Sequence, residues 1–121
     1  MSHEGNINVL RARLAEFART RDWEQFHSPK NLSMALIAEA AELVEHFQWL
    51  TEKQSTSLDD DKKDEVALEL ADIFIYLMRT ADQLDIDLIE SAWRKIEINE
   101  QRYPVDKVRG DARRASEYEQ E

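Results

Sequence analysis

The stretch NLSMALIAEAAELVEHFQW, residues 31–49, decides how the rest of the chain is read. Leu32, Leu36, Leu43 and Leu50 fall on one stripe when the segment is wound as a helix, so the spacing predicts a long helix here. Glu39 sits inside that stripe, between Leu36 and Leu43, and Glu42 lies one turn on beside it. A carboxylate on an apolar face is costly to bury without a cation. Glutamate usually escapes that cost by reaching water from the stripe's edge. A second helix with the same defect argues against that escape.

That second segment runs from Lys62 to Leu84. Val66, Leu68, Leu70, Ile73, Phe74, Ile75, Leu77 and Met78 make it apolar on most sides. Glu65, Glu69, Asp72, Tyr76 and Arg79 recur at steps of four, three, four and three, forming one continuous polar stripe. A helix apolar on most sides is surrounded by neighbours, so its polar stripe must face something polar. Glu39 and Glu42 are the matching partner, and the two helices should pack antiparallel.

Outward from this pair the chain reads as further helix. Ile7, Leu10, Leu14 and Phe17 predict a first amphipathic helix ending near Asp22, with Arg11, Arg13 and Arg19 on a solvated face. The connector DWEQFHSPKN follows, in which Ser28-Pro29 suits an N-cap with proline at the first helical position. Trp23, Phe26 and His27 therefore stand on a connector, as a lid over the core or as a stacking platform. Trp49 closes the organising helix, and His46 shares the stripe of Glu39 and Glu42. TEKQSTSLDDD reads as a polar connector whose acidic run, Asp59 to Asp61, favours a helix start. A fourth helix from about Leu88 to Arg102 puts Ile89, Ala92, Ile96 and Asn99 on one face, with Lys95 one turn before Asn99. Tyr103-Pro104 stops it. The remainder, VDKVRGDARRASEYEQE, is polar and reads as a tail, partly helical at most.

Composition limits the functions available. The 121 residues fit one domain, and two Gly and two Pro leave long helices with short connections. With no Cys there is neither a disulfide framework nor thiolate chemistry. A formal charge of −10 without a basic patch argues against a nucleic-acid polymer as partner. A nucleotide whose charge is carried by a metal ion remains possible. No apolar run is long enough to span a bilayer, and the N-terminus lacks a signal-peptide pattern, so a cytoplasmic location is expected.

Glu39-x-x-Glu42 and Glu69-x-x-Asp72 each put two hard oxygen ligands on one helical face. Such a set suits Mg²⁺, which keeps several waters and binds substrate phosphates. Zinc is poorly served without Cys and with few His.

The residues FARTRDWEQFHSPKNLSMALIAEAAELVEHFQW, ELADIFIYL and KIEINEQRYP resemble the dCTP pyrophosphatase branch of the MazG-like nucleotide pyrophosphohydrolases. The likeness runs from about Leu10 to Gly110. It implies a four-helix bundle of the all-α NTP pyrophosphatase type, with a domain over residues 1–110 and a polar tail over 111–121. It also implies hydrolysis of a nucleoside triphosphate between the α and β phosphates, giving a monophosphate and pyrophosphate. By the same likeness Glu39, Glu42, Glu69 and Asp72 are the magnesium ligands, and Glu45 assists the metal or orients the water. Lys95 touches the phosphates, Asn99 and Tyr76 shape the nucleotide site, and Trp23, His27 and Trp49 line the base and sugar pocket. The pattern breaks at Leu14, where vertebrate dCTP pyrophosphatases carry a histidine that contacts the base. Strict cytosine selectivity is therefore not implied.

Two other readings compete. A di-iron carboxylate bundle needs two Glu-x-x-His motifs on facing helices. Only Glu24-x-x-His27 is present, ahead of the Ser-Pro helix start. A non-enzymatic helical adaptor explains the apolar helix at 62–84 but not the carboxylates that interrupt two apolar stripes. That helix also carries more apolar surface than one short chain covers, so a homo-oligomer, dimer or tetramer, is expected.

Overall fold

The computed structural model describes residues 5–113 and Glu117. Every regular element among them is helical, as expected for an all-α chain. The chain divides into two compact units, Met1–Ile86 and Asp87–Glu121.

In the first unit, helix α1 (Ile7–Thr20) is capped by Asn6, whose side chain accepts the Asn8 N–H. A short 3-10 turn, Glu24–Phe26, occupies the connector. Helix α2 (Pro29–Glu45) starts where Ser28-Pro29 places it: the Ser28 hydroxyl accepts the Asn31 N–H at 3.1 Å. It stops short of Trp49. His46 and Phe47 donate to carbonyls only three residues back, Leu43 and Val44, and the helix tightens into turns. Trp49 therefore stands in a turn beyond the helix and does not close it.

The stretch read as a polar connector contains a one-turn helix, α3 (Glu52–Ser55). Its signal is the capping box Thr51-x-x-Gln54, with both reciprocal hydrogen bonds present. Helix α4 (Asp60–Gln83) begins two residues earlier than Lys62, because Asp59 caps it by accepting the Lys62 N–H at 2.8 Å.

Helices α1 and α4 end alike. Asp22 (φ 52°) and Asp85 (φ 54°) take the left-handed conformation. After them Trp23 N–H returns to the Ala18 carbonyl at 2.9 Å, and Ile86 N–H to Ala81 at 2.8 Å. With two glycines in the chain, aspartate serves at a position glycine usually fills. The first of these turns fixes where Trp23 leaves α1.

Helices α2 and α4 run antiparallel, as expected. His46 faces Glu65, Glu39 lies with Glu69 and Asp72, and His27 just before α2 meets Arg79. Leu32, Val66, Met78, Ala18 and Ala81 are buried, together with one charged residue, Arg79. Among the described residues α4 keeps apolar positions exposed: Leu68 is 70% exposed, and Leu70, Phe74 and Leu77 are exposed too.

In the second unit, helix α5 (Leu88–Arg102) keeps its expected bounds, with Asp87 capping it through the Glu90 N–H. A four-residue helix, α6 (Val105–Val108), follows Pro104 in the stretch read as tail. Of the tail at 111–121, residues 114–116 and 118–121 lie outside the described residues. No helix among the described residues is long and apolar enough to cross a membrane.

Candidate active site

Glu39 on α2 meets Glu69 and Asp72 on α4, one carboxylate oxygen from each lying within 4.8 Å of the others. The three-residue spacing of Glu69 and Asp72 puts both on the α4 face that looks at α2. Oε2 of Glu39 and Oε2 of Glu69 are buried and have no hydrogen-bond partner. Buried anionic oxygens without a donor or cation are costly, so the pair holds on to protons. Glu39 is pushed up to about 7, first by sharing a proton with Glu69, then by burial, then by neighbouring Glu42 and Asp72. Glu69 is also raised, mainly by burial, while accepting the Glu39 proton partly offsets that rise.

Glu42 is exposed one turn beyond Glu39 and acts on both glutamates, although it lies outside the tight group of three. Glu45, the exposed last residue of α2, is not in that group either. The orphaned oxygens and the hard donor set fit a divalent cation, which these same atoms would ligate.

Beside the cluster lies a pocket of about 290 Å³, lined in part by Leu14, Phe17, Trp23, His27, Asp72 and Tyr76. Its aromatic row is ordered edge to face: Phe17 and Trp23 centroids stand 5.7 Å apart, Trp23 and His27 6.5 Å apart. The Arg21 guanidinium covers the Phe17 ring at 3.5 Å. Arg79 completes the wall and donates from Nε to His27 Nδ1 at 3.3 Å. Asp72 belongs to both places, so cluster and pocket share a side chain.

Among the expected site residues, the fold gathers Glu39, Glu69 and Asp72 at the cluster, and Trp23, His27 and Tyr76 at the pocket. Trp49, 87% exposed, is not among the pocket walls. Lys95 and Asn99 lie one turn apart on α5, Lys95 exposed and Asn99 half-buried. Arg79 and Phe17 are among the wall residues that the sequence gives no role in the site. Arg79 was visible as the last member of the polar stripe, whereas Phe17 looked like an ordinary apolar position on α1.

A profile of the MazG-like family matches residues 35–117. The chain is 42% identical over 113 residues to dCTP pyrophosphatase 1 of Mus musculus, covering 92% of this chain and 66% of that protein. It is 40% identical over 118 residues to dCTP pyrophosphatase 1 of Homo sapiens, covering 96% and 69%. The chain thus spans about two thirds of the length of these curated relatives. Among solved structures, a pyrophosphatase from Archaeoglobus fulgidus superposes with a TM-score of 0.78 at 38% identity, covering 86% of this chain and 97% of that one. On the strength of that profile match and of relatives at about 40% identity, the chain belongs to the MazG-like family.

Proposed function

We propose that the protein is a nucleoside triphosphate pyrophosphohydrolase that cleaves dCTP-like substrates to the monophosphate and pyrophosphate, a nucleotide-pool house-cleaning activity. One observation carries this reading. Asp72 links a carboxylate cluster suited to a cation with an aromatic pocket sized for a single nucleoside. A nucleoside triphosphate has that layout, an aromatic ring at one end and a polyanion at the other.

In this reading Glu39, Glu42, Glu69 and Asp72 hold Mg²⁺. A bound cation supplies charge neutralisation on the triphosphate and makes the attacking water more acidic. The protein's own work is positioning, as is usual in phosphoryl chemistry. Trp23 and His27 line the base and sugar pocket, with Trp23 stacking on the base, and Tyr76 shapes the nucleotide site. Glu45 assists the metal or orients the water, Lys95 contacts the phosphates, and Asn99 shapes the nucleotide site. The domain spans residues 1–110 with a tail at 111–121. The enzyme works as a homo-oligomer, dimer or tetramer. The exposure of Leu68 and Ile37 on α4 and α2 supports a covering copy. Trp49 then serves a base site through that assembly.

The test is incubation with each common dNTP and Mg²⁺, following pyrophosphate and monophosphate release. Release of pyrophosphate with the monophosphate is expected. Release of inorganic phosphate with the diphosphate would refute α–β cleavage, and no turnover of any nucleotide would refute the enzyme.

A further inference from the structure

Arg79 is the one buried charged residue among the described residues, 4% exposed, and the chemistry above leaves it without a task. Burying a guanidinium is costly unless its donors are matched. Two side chains take two of its five N–H donors. Nη1 reaches Asp82 Oδ2 at 3.3 Å, one turn on along α4, and Asp82 also faces Arg11 on α1 at 4.0 Å. Nε donates to His27 Nδ1 at 3.3 Å. That contact spans 52 residues of sequence and ties the connector before α2 to the wall of the pocket.

The direction of the second bond fixes the chemistry of His27. A guanidinium has only donors, so Nδ1 of the imidazole must accept. A protonated imidazole has no acceptor, and a neutral one accepts on one nitrogen only. Nδ1 is therefore bare and the single proton is on Nε2. The Trp23 ring, 6.5 Å from the imidazole, packs beside it. Burial and the Arg79 charge lower the His27 pKa, against a smaller opposite effect of Glu24. Apart from His27, Asp72, Tyr76 and Arg79, the pocket wall is apolar, with Leu14, Phe17, Ala18, Trp23 and Ile75 contributing no polar side-chain atom except the indole N–H.

We propose that Arg79 is a positioning residue that holds His27 as the neutral Nε2–H tautomer, so that the imidazole offers a hydrogen-bond donor to an acceptor on the substrate's nucleoside. The proposal rests on the pyrophosphohydrolase reading for its substrate class, but the tautomer itself does not. The recognised group is an acceptor, such as a base carbonyl or a sugar oxygen, and a nucleoside lacking it loses affinity rather than turnover.

The experiment uses the full-length, ¹⁵N-labelled protein at pH 7. Long-range ¹H–¹⁵N spectra assign each imidazole nitrogen as protonated or bare, and His27→Gln identifies the His27 signals among the three histidines. The expected result is a protonated Nε2 and a bare Nδ1. Arg79→Met should lose that preference, giving mixed tautomers or a protonated ring. Kinetics with dCTP and Mg²⁺ give the second arm. Arg79→Met and His27→Leu should raise KM roughly tenfold, the ordinary weight of one hydrogen bond, with kcat little changed. His27→Gln, whose amide supplies a donor in place of Nε2–H, should recover part of the KM that His27→Leu loses. A proton on Nδ1, or on both nitrogens, in the wild-type protein overturns the proposal. So does an equal KM for His27→Gln and His27→Leu. If Arg79→Met does not fold, the wild-type spectrum and the two His27 variants still decide. Absence of turnover beside an Nε2–H tautomer would sink the pyrophosphohydrolase reading and leave the Arg79–His27 assignment standing. Turnover beside a proton on Nδ1 would do the reverse.

Discussion

Replacing Glu39 with glutamine should make the metal-free protein more stable while abolishing its activity. Oε2 of Glu39 and of Glu69 is buried without a partner, and Glu39 rises from its ordinary 4.5 to about 7. The folded state therefore binds more protons than the unfolded one between these values. Stability is greatest below about 4.5 and falls as pH rises through 7, where Glu39 ionises beside Glu69, Glu42 and Asp72. At roughly 1.4 kcal/mol per pH unit the full cost is roughly 3–4 kcal/mol. Glu39 is only half-buried, and solvent screening reduces that to roughly 1–2 kcal/mol. Glutamine carries no charge at any pH, and its amide can donate to the Glu69 carboxylate. In EDTA at pH 8, Glu39→Gln should melt roughly 4–8 °C above wild type. The gap should close as pH falls towards 4.5. Saturating Mg²⁺ should raise wild type by mass action and the variant less. Thermal melts of both proteins across pH, in EDTA and in Mg²⁺, provide the measurement. Should Glu39→Gln melt below wild type in EDTA at pH 8, Glu39 is a structural hydrogen-bond acceptor and the cluster stores no electrostatic strain.

Glu69→Gln and Asp72→Asn should each lower turnover by at least about a hundredfold with the fold retained, read as steady-state kcat beside a circular-dichroism melt. Trp23→Ala should raise KM and spare kcat, since stacking is worth roughly 1–3 kcal/mol and acts on bound substrate generally. A collapse of kcat at constant KM would show that Trp23 positions the reacting phosphate. Sedimentation should find a dimer or tetramer at micromolar concentration, with Leu68→Lys shifting it to smaller species; a fully active wild-type monomer would contradict the covering-copy reading. Asp85→Gly should stabilise the α4 terminus by roughly 0.5–1 kcal/mol, because glycine pays no steric cost at positive φ, and denaturant melts test it.

The four long helices and the polar stripe of α4 were legible in the residues, while the short helices α3 and α6 were not. Period and caps are local: Ser28-Pro29 and Asp59 start α2 and α4, and α5 keeps the bounds read from Leu88 to Arg102. Two carboxylate pairs at three-residue spacing on facing helices had to meet, because burying either alone is costly. The end of α2 was less legible. The pattern ran through to Trp49, but tight three-residue hydrogen bonds after Leu43 turned the chain away. Packing settles which carboxylates come closest, keeping Glu39, Glu69 and Asp72 together with Glu42 at their edge. Only packing, too, brought Phe17, Trp23 and His27 from α1 and the connector onto the Asp72–Tyr76–Arg79 wall of α4. Periodicity describes the faces of one helix. Which buried donor finds which acceptor across 52 residues, as Arg79 finds His27, depends on how those faces are pressed together.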